Sequence, residues 1–184
     1  MNAVERIDKL ETRLQAEKDS LQMEKFEGIL LHESTEAEEM KLVAVVRDIE
    51  RVQICRDFVK EFGEAIEISC SENFSLIIKP CLCERQVGVR AQFVLNPETE
   101  NFLYNHVYDS HSDLCEWFNT LCQNMAFGFR GAPGLMHNLW MSDVKRVMLY
   151  YNGPRAQELY RMIDEYLKTI AESRPGPVID DDED

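Results

Sequence analysis

The sequence predicts an α+β protein, with an N-terminal helical coiled coil followed by an antiparallel sheet packed by helices. Three patterns lead to this prediction. Apolar residues follow a heptad repeat in the first 62 residues, alternate with a period of two as far as residue 95, and return to helical spacing after residue 113. We therefore expect a helical coiled-coil or dimerisation region at 1–62, an α+β globular domain at 63–173 and a disordered acidic tail at 174–184.

One heptad register fits two separate stretches of residues 1–62. With Ile7 at position a, ten of the sixteen a and d positions are aliphatic. A repeat of about 3.5 residues winds helices around one another and buries the a/d seam against a partner. The predicted partner-binding residues are Ile7, Leu10, Leu14, Leu21, Leu31, Leu42, Val45, Ile49, Val52 and Val59.

The middle of the helical region fits the register less well, because Gly28 occupies an a position. Thr35 followed by Glu38 matches a capping box, which predicts a fresh helix start. Two alternatives stay open. The shared register could arise by chance in about one case in seven, since a helix can restart in any phase. Residues 26–33 and 40–46 could also be the strands of a β-hairpin, because the second is rich in β-branched residues.

The second half of the helical region is apolar on more than one face. Four residues fall outside the seam: Val43, Val46, Phe58 and Phe62. A helix of this kind packs against a partner helix and also against its own globular domain. Glutamates at three d positions would weaken a homodimer, which favours a heterodimer with complementary charges.

Residues 64–153 are predicted to be mostly sheet. Gly63 occupies the position at which glycine commonly ends a helix. Apolar residues then alternate on either side of a tight turn at 71–73, and the clearest alternation covers 87–95. Short loops favour antiparallel pairing. We expect strands at 66–70, 74–78, 87–95, 102–108 and 147–150.

Two helices are predicted to accompany this sheet. The first begins at about Asp113 with Ser112 as its cap, covers one sheet face, and is broken by the glycine-rich loop 128–134. The second begins at Pro154, because proline at the first helical position loses no hydrogen bond. The apolar stripe of the first helix comprises Leu114, Trp117, Phe118, Leu121, Cys122 and Met125.

The composition excludes several classes of function. A net charge of −14 argues against direct binding of nucleic acid, which requires clustered Lys and Arg. The N-terminus has no apolar segment of a signal peptide, and no run of 18 apolar residues exists. We therefore expect an intracellular protein with no membrane segment, whose six cysteines remain reduced.

Cysteine and histidine are the residues that a catalytic or metal site would use. Structural zinc sites usually need pairs spaced C-x₂₋₄-C, and Cys81-x-Cys83 is tighter than that. The chain also lacks the glycine motifs that hold phosphate. We therefore predict no metal, cofactor or catalytic residue. The remaining enzymatic alternative is a thiol nucleophile, with Cys115 or Cys122 beside His106 or His111.

The layout of the chain resembles that of small kinetochore subunits built as a coiled coil plus an RWD-like domain, of the Spc24/Spc25, monopolin Csm1 and Mad1 C-terminal type. The resemblance is carried by VKEFGEAIEI, FSLIIKP, VGVRAQFVL and the helix of YNHVYDSHSDLCEWFNTLCQN, between Phe58 and Phe127. The YPxxxP-type turn of many RWD domains is absent, and the segment after Gly134 exceeds the smallest members.

The resemblance implies a non-catalytic subunit of a multiprotein complex, acting in kinetochore assembly or chromosome segregation. Such a subunit would be nuclear or chromosomal. It would form a homodimer or heterodimer through its N-terminal helices and dock other proteins through its globular head. An adaptor in vesicle tethering, autophagy or transcription could use the same parts.

Overall fold

The computed structural model describes residues 1–83, 86–107, 110–135 and 138–173, apart from the side chains of 106 and 107. The helices are α1 (Ala3–Leu30), α2 (Glu36–Phe62), α3 (Pro97–Val107), α4 (His111–Phe127), α5 (Met141–Tyr151) and α6 (Pro154–Ser173). The strands β1 (Ile66–Ser69), β2 (Phe74–Cys81) and β3 (Gly88–Leu95) form an antiparallel sheet in the order β1-β2-β3. The predicted α+β class is confirmed.

Two long helices occupy the N-terminal region, so the alternative of a β-hairpin at 26–46 is wrong. A capping box starts α1: the Asn2 Oδ1 accepts from the Glu5 N–H at 2.9 Å, and the Asn2 N–H donates to the Glu5 carboxylate at 3.0 Å. A fresh helix does follow Thr35, as predicted, but the Thr35 side chain makes no capping hydrogen bond. Instead, glutamates in the first turn of α2 interact favourably with the positive end of its helix dipole.

The strand predicted at 102–108 is wrong, because this part of the chain belongs to α3. Pro97 occupies the first helical position, and the Asn96 carbonyl accepts from the Glu100 N–H at 2.8 Å. The pair Asn96-Pro97 is also typical of a turn between strands, but here it starts a helix. Tyr108, the last residue of the predicted strand, lies outside the described residues.

The strand predicted at 147–150 is also wrong, because α5 covers these residues. The Trp140 carbonyl accepts from the Val144 N–H at 3.0 Å, which starts the helix. Val144, Val147 and Tyr151 are fully buried at spacings of three and four, which is the period of a helix. The β-branched and aromatic composition of this segment had favoured a strand, and tertiary packing overrides that preference.

The remaining helix boundaries agree with the predictions more closely. Ser110, and not Ser112, caps α4, since its hydroxyl accepts from the Asp113 N–H at 3.4 Å. The loop at 128–134 and the start of α6 at Pro154 are confirmed. The predicted acidic tail at 174–184 lies outside the described residues.

The chain divides into two compact units, each assembled from segments that are not consecutive in sequence. The first comprises Met1–Ile66, Ile78–Ala91 and Met136–Val144. The second comprises Glu67–Ile77, Gln92–Leu135 and the residues from Lys145 onward.

The core of the second unit is built around the Phe74 ring. Its centroid lies 6.0 Å from that of Phe93, 5.6 Å from that of Phe118 and 5.9 Å from that of Tyr160, each in an edge-to-face arrangement. Such pairs stabilise a core by about 0.5–1.5 kcal/mol beyond their buried area. The Tyr160 hydroxyl donates to the Tyr151 carbonyl, which satisfies a buried polar group.

Candidate interaction surface at the tip of the helical hairpin

Helices α1 and α2 pack against each other as an antiparallel hairpin joined by the turn at 31–35. Most of the predicted seam lies inside this hairpin. Six of the ten residues are buried: Ile7, Leu10, Leu14, Leu21, Val45 and Val52. Three more are half-buried, namely Leu42, Ile49 and Val59, whereas Leu31 is exposed. Partner binding through the seam stays a prediction, and it would require the hairpin to open.

An arginine occupies one a position of the hairpin without leaving a charge unpaired. The Arg56 guanidinium donates to the Asp8 carboxylate at 2.7 Å and also to that of Glu11, both on α1. All three side chains are partly exposed, so each ion pair stabilises the hairpin by about 1 kcal/mol or less. These two ion pairs hold α2 beside the first half of α1.

The two helices approach each other closely near the turn, where Gly28 lies against Thr35. A Cβ atom added to Gly28 would lie 2.9 Å from Cγ2 of Thr35, so a larger residue would force the Thr35 side chain to shift. The Gly28 carbonyl accepts from the Glu33 N–H at 2.9 Å. The Lys25 ammonium lies 2.8 Å from the Glu39 carboxylate across the two helices.

Beside this turn the hairpin exposes a cluster of large apolar side chains. We call this cluster the apolar tip. Its members are Met23, Phe26, Ile29, Leu30, Leu31, Met40, Val43 and Val46. Phe58, farther along α2, is fully buried, whereas Val43 is 67% exposed. The expectation that the off-seam residues of α2 pack against the globular domain is therefore not met by Val43 and Val46.

Apart from Leu31, which occupies a seam position, the members of the apolar tip lie off the seam. Phe26 follows the seam residue Leu21 by five positions, which turns it by about 140° at about 100° per residue. Met40 precedes the seam residue Val45 by the same number of positions and is turned equally far. The outer faces of both helices are thus apolar at the turn, a pattern that in soluble proteins belongs to covered helices.

Sequence reasoning identified two members of the apolar tip off the seam, Val43 and Val46, and one on it, Leu31. A further signal was available, since Met23, Phe26 and Leu30 are spaced by three and four residues on one face of α1. The heptad register drew attention to the opposite face of the same helix. Which of the two apolar stripes is covered depends on packing that periodicity does not determine.

The geometry around Cys115 does not form a nucleophile–base pair. One oxygen of Glu100 lies 3.3 Å from the Cys115 sulfur and 3.3 Å from Nδ1 of His111, so the carboxylate and not the imidazole is next to the thiol. Burial, together with Glu100, raises the pKa of the Cys115 thiol. Burial also raises the pKa of Cys122. The side chain of His106 lies outside the described part of the chain.

Thiol reactivity tests the enzymatic alternative directly. Burial raises the pKa of Cys55 to about 12 and that of Cys70 to about 11, so both remain neutral at physiological pH. We expect these two thiols and Cys122 to resist iodoacetamide until the chain unfolds. The exposed thiols, Cys83 and Cys115, should react no faster than glutathione, because each has a raised pKa. Mass spectrometry of labelled peptides measures this, and any faster thiol would revive the alternative.

The second unit contains a groove of about 730 Å³ between α3 and α6. Several of its polar side chains already bind one another. Asp164 accepts hydrogen bonds from the Ser71 hydroxyl at 2.9 Å and from the Asn73 amide at 3.0 Å, and Arg161 pairs with Glu165. These contacts assign the groove walls a structural role within the unit.

Other classes of site find no support in the described residues. Across 1–83, 86–107, 110–135 and 138–173, no group of three or more His, Cys, Asp or Glu side chains could hold a metal ion. In the same ranges, no helix is both long and apolar enough to cross a bilayer. No protein-family model, curated protein or solved structure matches the chain.

Proposed function

We propose that this chain is a non-catalytic protein-interaction subunit that binds a partner through the apolar tip. One observation carries the proposal: eight large apolar side chains are exposed within residues 23–46, seven of them on α1 and α2 off the seam and Leu31 in the turn between the helices. Apolar side chains scattered singly over a surface are ordinary, whereas a concentration of large ones in one short stretch marks an interaction surface.

The energetics of the tip support binding better than they support folding. Because the tip side chains are exposed, they contribute little to the stability of the hairpin, which depends on the seam. Burying a fully exposed Phe, Leu, Met or Val side chain gains about 1.5–3 kcal/mol, and because the tip side chains are 36–67% exposed, each would gain roughly half of that. Covering all eight of them therefore offsets much of the association cost, estimated at about 4–15 kcal/mol.

The cellular setting of this binding is a further part of the proposal. The kinetochore layout, in which a helical region and an RWD-like head join a multiprotein complex, is the leading setting. Vesicle tethering, autophagy and transcription are the alternatives. The tip would supply the same apolar contacts in each of them, so the identity of the native partner decides between them.

Paired serine substitutions test the proposal. Phe26→Ser with Val43→Ser removes two outward side chains that are 62% and 67% exposed. We expect this variant to lose its native partner in affinity purification of the tagged full chain. Its free energy of unfolding should change by less than about 1 kcal/mol, because exposed positions contribute little to folding.

The matched control is Phe127→Ser with Leu149→Ser, which removes an exposed phenylalanine and an exposed aliphatic residue from the second unit. We expect this control to retain the partner. If the control loses the partner and the tip variant keeps it, the binding surface lies in the second unit. If both keep it, the apolar tip is not the binding surface.

A further inference from the structure

We infer that the partner of the apolar tip is a different protein, which presents an apolar helical surface flanked by Lys and Arg. The inference rests on the proposed function and adds the chemistry of the partner. It comes from the charge that surrounds the exposed side chains.

Negative charge in the hairpin is concentrated at the apolar tip. Residues 23–46 contain six acidic and two basic residues, a net charge of −4. The rest of the hairpin, 3–22 and 47–62, contains nine acidic and eight basic residues, a net charge of −1. The part of the hairpin with exposed apolar side chains is therefore also the part with unbalanced charge.

The helix dipoles leave this negative charge largely unchanged, because the negative end of α1 and the positive end of α2 both lie at the turn. The last turn of α1 has no basic residue to offset the negative end of its helix dipole. Glu36, Glu38 and Glu39 lie over the positive end of the α2 dipole. Lys25 is already paired with Glu39, which leaves the other tip carboxylates to attract cations.

This charge disfavours a second copy of the chain as the occupant. A twofold symmetric contact places the same surface patch on both subunits. Two copies of the segment 23–46, each with a net charge of −4, would then face one another. Like charges brought together across an interface oppose association, whereas complementary charges accelerate and direct it. A partner with basic residues around its apolar contacts matches both the exposed apolar side chains and the negative charge of residues 23–46.

The shape of the tip favours helices in the partner. Members of the α1 stripe are three and four residues apart and those of the α2 stripe are three apart, spacings that place apolar side chains on one face for packing against another helix. Because the stripes lie on the far sides of both helices, full coverage requires the partner to contact α1 and α2. The simplest such contact adds partner helices to the hairpin and completes a small bundle.

Synthetic helical peptides test this chemistry with the full-length chain. Three fluorescein-labelled peptides share one leucine stripe and differ in a polar face of Lys, Gln or Glu. A fourth has the composition of the lysine peptide in scrambled order. We expect fluorescence anisotropy to show that the lysine peptide binds about tenfold more tightly than the glutamine peptide at low salt. The preference should shrink at high salt, and the glutamate peptide should bind most weakly.

Chain variants assign the binding to the tip. Phe26→Ser with Val43→Ser should remove binding of the lysine peptide although all tip charges remain. Glu27→Gln with Glu33→Gln should keep the leucine-dependent binding and reduce the preference for lysine several-fold. The charge control, Glu116→Gln with Glu158→Gln in the second unit, should leave the preference unchanged.

Several results would overturn the inference. Equal binding of the lysine and glutamine peptides means that charge does not select the partner at this surface. Equal binding of the scrambled peptide means that the apolar helical stripe does not select it, and binding of no peptide overturns both parts of the inference. Self-association that the tip variant abolishes would make a second copy the occupant, and tip-dependent binding to phosphatidylcholine vesicles would make it a lipid surface. If the tip variant loses its native partner while no lysine preference is seen, the proposed function stands and this inference alone fails.

Discussion

The substitution Val52→Asp is expected to lower the free energy of unfolding by about 3–5 kcal/mol, because it leaves an unpaired charge in a water-excluded position. Val52 lies on the seam of the hairpin and has no exposed surface. The new carboxylate would be excluded from water at this position, so the folded state is destabilised. Denaturant unfolding followed by far-ultraviolet circular dichroism measures the change.

The matched control is Val43→Asp, the same substitution on the same helix at a position that is 67% exposed. We expect the control to change the free energy of unfolding by no more than about 0.5 kcal/mol. Equal losses for the two variants would contradict the division of α2 into a packed seam and an exposed tip. Only the control should weaken binding of the partner without unfolding the hairpin.

The comparison of Val52 with Val43 also limits what substitutions on the seam can show. From the heptad register alone, Ile49→Asp with Val52→Asp is expected to abolish association. In the structure, Val52 supports the fold of the chain itself, so loss of association in that double variant would not identify a binding residue. The tip variants separate binding from folding, whereas the seam variants do not.

The substitution Phe74→Ala is expected to lower the free energy of unfolding by about 3–5 kcal/mol. Phe74 is fully buried, and its ring meets those of Phe93, Phe118 and Tyr160 edge to face. Alanine would leave a cavity bordered by all three rings and remove their edge-to-face contacts. Chemical denaturation followed by near-ultraviolet circular dichroism, which reports the packing of aromatic side chains, measures the loss.

Two controls show that the cavity causes this effect. Phe127→Ala removes a phenylalanine that is 79% exposed in the same unit, and we expect a change of about 0.5 kcal/mol or less. Phe74→Leu keeps most of the volume, so its cost should fall clearly below that of alanine. If leucine were as costly as alanine, the edge-to-face geometry and not the filled volume would hold this core.

Local signals in the sequence were sufficient where one residue type has one structural meaning. Pro154 starts α6, Gly63 follows the end of α2, and the alternation at 87–95 forms β3. Signals with two meanings were not sufficient. Asn96-Pro97 can begin a turn or a helix, and the valines and tyrosines of α5 fit a strand by composition and a helix by spacing.

By itself, then, the sequence determined the α+β class, the first N-terminal helix and the apolar seam of residues 1–62, because the period of apolar residues records which side of an element is buried. It did not determine whether residues 26–46 are helical or what covers the seam. Only the tertiary structure decided that α1 and α2 cover one another, and that the second apolar stripes at residues 23–46 remain exposed. The physical reason is that burial of apolar surface is non-directional: a stripe of Leu, Met and Phe gains the same free energy against its own chain as against a partner.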